Sequence, residues 1–284
     1  MNGIIIINKP KNYTSHDIVR IAKKVLNEKV GHTGTLDPNA TGVLPLLIGK
    51  GTELSKYMIN HDKTYEAVLK IGEKTDTADV EGQVIEKQEV NFEKIKIESV
   101  EKALQKCLGK QEQIPPMYSA IKINGKKLYE YARKGQKIQI KPRQIEIYEI
   151  KLIEINEKQK EIIFKVHCSK GTYIRTLCEK IAENLGTCGY MKELKRTQVG
   201  EFKIEDAIEI EELENNAKNN IITVEEYFED SPQIELSEYK NKLFLNGVQL
   251  TFNMEDGIYR IYKNKNFIGI GTIKNNLLKR DIII

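Results

Sequence analysis

Gly31-His32-Thr33-Gly34-Thr35-Leu36-Asp37-Pro38-Asn39-Ala40-Thr41-Gly42 sets one carboxylate among three glycines and a proline. Glycine lets another molecule approach the backbone closely, and the segment is long for a plain connection. Composition leaves two readings open. In the plainer and commoner one, Asp37 fills an Asx-turn or caps a neighbour. In the other, the loop carries Asp37 to a ligand. The nearby Gly49-Lys50-Gly51 lacks the earlier glycine and the following Ser or Thr of a phosphate-cradling loop.

Upstream, residues 4–7 are continuously apolar and read as a buried strand that ends at Asn8-Lys9-Pro10. Thr14 or Ser15 then caps a helix, with Asp17 favourable in its first turn. Ile18, Ala22, Val25 and Leu26 form its buried stripe. Downstream, residues 43–48 read as a strand. Residues 65–71 alternate, with Tyr65, Ala67, Leu69 and Ile71 on the inner face. A polar turn over 75–82 leads to an antiparallel return over 83–86. Residues 97–108 have a helical stripe, stopped by Gly109. Two further strands cover 144–155 and 161–167, and Gly171 opens a turn into a helix over 173–185. This order predicts an α+β fold with a mixed, mainly antiparallel central sheet flanked by helices. The boundary is placed at Ser231-Pro232, giving domains 1–231 and 232–284. Short strands with turns at Asn246-Gly247, Asp256-Gly257 and Asn275-Asn276 predict a small β-rich unit in the tail.

The chain has 284 residues, 40% hydrophobic and 30% charged, room for one large domain and a small one. No apolar run reaches the ~20 residues that span a bilayer. The opening residues carry no basic leader and no cleavage site, so the protein is expected in the cytoplasm. Cys107, Cys168, Cys178 and Cys188 form no CxxC pair, and His16, His32, His61 and His167 do not join them at ligand spacing. Neither a metal site nor a disulfide framework is predicted. The net charge is only +4, but its distribution is uneven. Lys122, Lys126, Lys127, Arg133, Lys134, Lys137, Lys141 and Arg143 face a single acid, Glu130, within residues 122–143. Acids dominate residues 201–230. The first segment suits a polyanion and the second would repel one.

Two other segments stand apart from ordinary scaffold. In Cys168-Ser169-Lys170-Gly171-Thr172-Tyr173-Ile174-Arg175-Thr176, Arg175 falls in the first turn of a helix, the unfavourable end for a cation. An unpartnered surface arginine is the plain reading. A carboxylate partner such as Asp37 is the other, and the cation would keep that carboxylate ionised. In Lys63-Thr64-Tyr65, the tyrosine either packs in the core or offers a ring to a base and a hydroxyl for proton exchange.

Residues 31–45 resemble the catalytic motif of the TruB family of pseudouridine synthases. Asn8-Lys9-Pro10 with the Thr14-Ser15 cap, Lys63-Thr64-Tyr65, Thr75-Asp76-Thr77, Pro115-Pro116-Met117-Tyr118-Ser119-Ala120, Gly125-Lys126-Lys127-Leu128-Tyr129 and Ser169 to Thr176 match that family in order, over roughly residues 3–200. The resemblance implies roles. Asp37 corresponds to the catalytic aspartate, Tyr65 to the tyrosine that packs on the target base, and Arg175 to the arginine that pairs with the aspartate. Leu194, in Lys192-Glu193-Leu194-Lys195-Arg196, corresponds to the apolar residue closing the base pocket. His32 corresponds to a histidine touching the T loop, with Gly34, Thr35 and Tyr173 as further substrate contacts. Lys126 and Lys127 belong to an insertion, residues 122–143, that folds over RNA. The tail resembles a PUA-like RNA-binding domain, although it is short and modestly basic. Glu53 stands where the family pattern suggests a basic residue.

The implied reaction isomerises uridine 55 in the T loop of tRNA to pseudouridine, with no cofactor and no metal. The implied partner is the tRNA T-arm, and the enzyme is expected to act alone as a monomer. Three rivals share parts of this pattern. A non-catalytic RNA-binding protein or tRNA chaperone would not need Asp37, Tyr65 and Arg175 together. A synthase guided by a separate RNA would be expected to carry long basic extensions. A carboxylate-dependent hydrolase requires a second acid at a matching loop, which the sequence does not display.

Overall fold

The computed structural model describes every residue except 93, 94, 120 and 137. Ala120 and Lys137, each part of a segment singled out above, therefore lie outside the described residues. The chain opens with β1 (Gly3–Lys9) and α1 (Ser15–Leu26). Thr14 caps α1 reciprocally with Asp17, a capping box that satisfies two orphan donors. Ile18, Val19 and Ala22 are its buried stripe. Val25 is exposed instead, because the stripe turns through Val19. Next come β2 (Val30–His32) and β3 (Thr41–Ile48), which trim both ends of the expected loop. A short α2 (Ser55–Met58) leads into β4 (Lys63–Ile71), whose Tyr65, Ala67, Leu69 and Ile71 face the core as the alternation predicts.

A hairpin of β5 (Glu73–Thr75) and β6 (Val84–Lys87) follows. Then α3 (Ile97–Gln105) ends before Leu108, which is exposed, and Gly109 begins β7 (Gly109–Gln113) with φ +86°. The basic segment is folded: β8 (Lys122–Ile123) and β9 (Lys126–Lys127) form a hairpin, followed by α4 (Leu128–Ala132). Asn124 and Gly125 both have positive φ, as a tight hairpin turn requires. After it run β10 (Arg143–Asn156), β11 (Glu161–Cys168), α5 (Ile174–Asn184), β12 (Gly189–Val199) and β13 (Phe202–Lys203).

The acidic stretch folds into short pieces, among them α6 (Leu213–Asn216), β14 (Ile222–Thr223) and α7 (Val224–Tyr227). The large sheet runs β14-β1-β3-β12-β4-β11-β10-β7, with β2 beside β3 and β13 beside β12. Every pairing in it is antiparallel except β3 with β12. That parallel contact is tight: a Cβ on Gly42 would stand 2.1 Å from the Arg196 carbonyl oxygen, and Gly42 has φ +102°. The helices α3 and α5 cover one part of the sheet, and α1 covers another.

The last segment holds β15 (Gln233–Glu235), α8 (Glu238–Leu245), β16 (Leu250–Thr251), β17 (Gly257–Lys263), β18 (Asn266–Lys274) and β19 (Leu277–Ile283). They form a second sheet, β15-β17-β18-β19-β16. Asn246-Gly247 is not a strand turn; it ends α8, because glycine serves helix termini as well as hairpins. Ile270 and Ile282 of this unit share one apolar cluster with Ile4, Ile6 and Leu47 of the first sheet. Tyr262 Oη donates to Glu225 at 2.5 Å, Arg260 Nε to the Ser231 carbonyl at 3.0 Å, and Asp281 takes Lys56 and Tyr57. The unit is thus seated on the large one through apolar and charged contacts. Among the described residues no helix is long and apolar enough to cross a membrane.

Candidate active site

The loop between β2 and β3 is held from several sides. Ser15, buried at the start of α1, accepts from Leu36 N at 2.8 Å and donates to Leu36 O at 3.2 Å. Asn12 N donates to the Pro38 carbonyl at 2.9 Å. The fully buried Lys9 ammonium donates to the carbonyls of Pro10, Tyr13 and Pro38 at 2.9, 2.6 and 3.1 Å. Burial outweighs the pull of Asp37 and lowers the Lys9 pKa to about 8. Asn39 ties the far side to Glu81 at 2.7 Å. The loop is therefore anchored scaffold, not a slack connection.

Arg175 reaches this loop from the first turn of α5. Gln113 of β7 fixes the start of that helix: its amide accepts from Tyr173 N at 2.8 Å and donates to Tyr173 O at 3.1 Å. The Arg175 side chain is only 5% exposed, and its Nε lies 3.2 Å from Asp37 Oδ2. The pairing expected from the sequence is present. Arg175 has more partners than expected, however. Its Nη1 lies 3.3 Å from Asp79 Oδ2 and 3.4 Å from Thr77 O, and its Nη2 donates to Tyr118 O at 2.7 Å.

A second acid does therefore stand beside the first, contrary to the sequence reading. Asp79 is occupied on both oxygens: Oδ1 accepts from Thr77 Oγ1 at 2.6 Å and Glu81 N at 3.1 Å, and Oδ2 faces Arg175. That leaves Asp37, with a 39% exposed side chain, as the carboxylate open to the cleft. Burial raises the Asp37 pKa, the Arg175 guanidinium opposes the rise, Asp79 adds to it and Lys9 opposes it. Arg175 thus limits the upward shift without cancelling it.

An open cleft is lined by Thr35, Leu36, Asp37, Tyr65, Thr172, Tyr173, Ile174, Arg175, Met191 and Leu194. Asp37, Tyr65, Arg175, Thr35, Tyr173 and Leu194 come from four separate segments and meet here. Tyr65 on β4 is 9% exposed, and burial pushes its pKa up to about 12 despite Arg196 nearby. Leu194 stands opposite Ala67 in the β12–β4 pairing. His32 and Gly34 are not on the cleft wall. They stand at the loop's root, where Gly34 N donates to His32 Nδ1 at 3.3 Å, and burial lowers the His32 pKa. Lys126 and Lys127 lie on the separate β8–β9 hairpin. Lys126 is exposed, whereas the Lys127 ammonium sits 3.3 Å from Tyr129 Oη.

The chain matches the TruB family pseudouridylate synthase N-terminal domain over residues 22–174, the tRNA pseudouridylate synthase B C-terminal domain over 175–230, and the pseudouridine synthase II TruB C-terminal region over 232–279. It belongs to the TruB family of pseudouridylate synthases. A Clostridium tetani relative called tRNA pseudouridine synthase B is 44% identical over 279 residues, covering 95% of each chain. A Bacillus cytotoxicus relative with the same name is 43% identical over 260 residues, 88% of this chain and 84% of its own. Among solved structures, a chain of a Cbf5-Nop10-Gar1 complex aligns over 99% of this chain and 83% of its own, with a TM-score of 0.67 at 24% identity. That likeness establishes the pseudouridine synthase fold.

Four residues at this TruB-family site were not singled out for roles by sequence reasoning: Lys9, Asp79, Met191 and Arg196. Lys9 and Arg196 did stand in quoted motifs. Their only signal is a cation inside an extended segment, and the neighbouring residues do not show that it is buried. Asp79 follows Thr75-Asp76-Thr77, but only folding turns it toward Arg175. Glu53 pairs weakly with Lys50 at 3.8 Å, so the expected basic position is filled by a locally compensated acid.

Proposed function

We infer that this protein isomerises uridine to pseudouridine in tRNA, at uridine 55 of the T loop, with Asp37 as the catalytic carboxylate. The observation that carries the reading is the Asp37–Arg175 pair at 3.2 Å on the wall of a cleft shared with Tyr65 and Leu194. The N1–ribose bond breaks, the base turns, and C5 bonds to the same ribose carbon, so no electrons and no groups enter from outside. The C5 proton leaves at the end of the sequence, and the freed N1 takes up a proton, so the product is an isomer of the substrate. A stacked uridine must first be flipped out of folded RNA, and the Tyr65 ring and Leu194 form suitable apolar walls.

Asp37 has three routes: attack on the sugar, removal of a sugar proton to give a glycal, or addition to the base. Arg175 serves each by holding the carboxylate in place and favouring its ionised form. Tyr65, buried and un-ionised at neutral pH, offers a hydroxyl for proton exchange. His32, Gly34 and Thr35 on the loop, with Tyr173, are assigned to substrate contact, and Lys126 and Lys127 to phosphates. Affinity should then come largely from phosphates and fall with salt, and specificity from the shape of a splayed loop. We place the enzyme in the cytoplasm as a monomer, with residues 1–231 catalytic and 232–284 a small PUA-like RNA-binding unit.

The test uses tRNA tritiated at uridine C5, the wild-type protein and Asp37→Asn, with no added guide RNA. Release by wild type alone, with tRNA affinity of the variant within about threefold, is the expected result. Equal release by both would remove Asp37 from the chemistry. Binding without release by either would favour the RNA-binding reading.

A further inference from the structure

Arg175 stands in the first turn of α5, the unfavourable end of a helix for a cation. The helix does not fix its own start either. Its N-cap is Tyr173, whose side chain makes no capping hydrogen bond, where Ser, Thr, Asp or Asn would supply one. The hold comes instead from Gln113 of β7, 60 residues earlier in the chain. Its amide accepts from Tyr173 N at 2.8 Å and donates to Tyr173 O at 3.1 Å. Two bonds to one residue's backbone fix both its place and its orientation. Gln113 is only 7% exposed, so breaking either bond would strand a poorly hydrated polar group.

Thr172, Tyr173, Ile174 and Arg175 run consecutively along the cleft wall. The Gln113 clamp therefore grips that wall two residues before the arginine. The chain leaving β7 then reaches the arginine itself, where Tyr118 O accepts from Arg175 Nη2 at 2.7 Å. One segment thus holds Arg175 through its backbone and through its guanidinium. The tolerance is small. Arg175 Nε to Asp37 Oδ2 is 3.2 Å, and an added shift of about 0.5 Å would carry it out of hydrogen-bond range. We propose that Gln113 is a positioning residue for the reaction, setting through the Tyr173 backbone the reach of Arg175 to Asp37. This rests on the reading of Asp37 as the catalytic carboxylate. Gln113 does not line the cleft, so it acts only through α5.

The experiment follows single-turnover rate against pH at saturating tRNA for wild type and Gln113→Met, with tRNA affinity and Tm alongside. Methionine keeps an unbranched side chain of similar reach and loses both hydrogen bonds. The charges acting on Asp37 are Arg175, Asp79 and Lys9, while the Tyr65 and Tyr173 phenols stay un-ionised because burial raises both. Gln113 holds only the first of these charges. With Arg175 loosened, the Asp37 pKa, already above its ordinary value, rises further, and the ionised fraction falls at low pH. Turnover at neutral pH should drop by about tenfold to a hundredfold, the cost of a small misplacement. The acid limb should move to higher pH, and tRNA affinity should stay within about threefold. Wild-type turnover, or slowing by one factor at every pH, would overturn the role of Gln113 while Asp37→Asn remains inactive. Turnover by Asp37→Asn would overturn the reading of Asp37 and this one with it. If the methionine variant does not fold, Gln113→Asn carries the same test, since its amide is one methylene shorter and cannot reach Tyr173 N and O together.

Discussion

Removing the cation shared by Asp37 and Asp79 offers the most informative perturbation. Arg175→Met keeps most of the side-chain volume and deletes the guanidinium that contacts Asp37, Asp79, Tyr118 O and Thr77 O. Breaking a buried ion pair by removing one partner costs about 3–5 kcal/mol. The Asp37 side chain is 39% exposed and can rehydrate, so the lower end, about 3 kcal/mol, is expected. For a chain of this size that corresponds to about 6 °C in Tm.

The loss should depend on pH. The folded-state pKa of Asp37 already lies above its ordinary value, and Arg175 is the largest influence opposing that rise. Without Arg175 it climbs further. Between the unfolded and folded values the native state then binds more protons than the unfolded state, so stability falls as pH rises through that window. The deficit relative to wild type should be smaller at pH 5 than at pH 8. Urea unfolding at the two pH values measures it. A deficit below about 1 kcal/mol, or one equal at both pH values, would show that the pair does not carry the charge balance of this site. Residual turnover, if measurable, should show its acid limb displaced to higher pH.

Lys126→Glu with Lys127→Glu should weaken tRNA binding and flatten the salt dependence by about one to two in slope, each lost phosphate contact contributing roughly 0.9; an unchanged slope would exclude the hairpin from the phosphate interface. Lys126 should account for more of the effect, because Lys127 is engaged with Tyr129. Gly42→Ala places a Cβ 2.1 Å from the Arg196 carbonyl oxygen at a positive φ, so thermal melting should show a large destabilisation, and a near-native Tm would mean that β3 and β12 part easily. The folded pKa of Lys9 lies near 8 against 10.5, so the native state binds fewer protons between those values. Its contribution to stability should therefore rise with pH across that window, by up to about 3 kcal/mol. The stability difference between wild type and Lys9→Met, followed by urea unfolding from pH 7 to 9.5, should widen accordingly.

Local patterns in the sequence determined much of this molecule. The apolar run into β1, the Thr14 cap with Asp17, the alternation of β4 and the glycine after α5 each act over a few residues, where backbone and burial preferences are legible. The motif order from Asn8 to Thr176 identified the family and brought Asp37, Tyr65 and Arg175 forward. Tertiary structure alone decided the rest. β12, which lies between β3 and β4 in the large sheet, has irregular alternation because its register shifts at Met191/Glu193 and Arg196/Gln198. Its Lys192, Glu193, Lys195 and Arg196 look like a solvated face until two neighbouring strands close over the arginine. Asp79 becomes a partner of Arg175 only when the segment before β6 folds beside α5, and Lys9 becomes the anchor of the loop only when three carbonyls turn toward it. Burial and ion pairing are relations between segments distant in the chain. A charged residue's own neighbours do not reveal whether water or a partner from elsewhere will satisfy it.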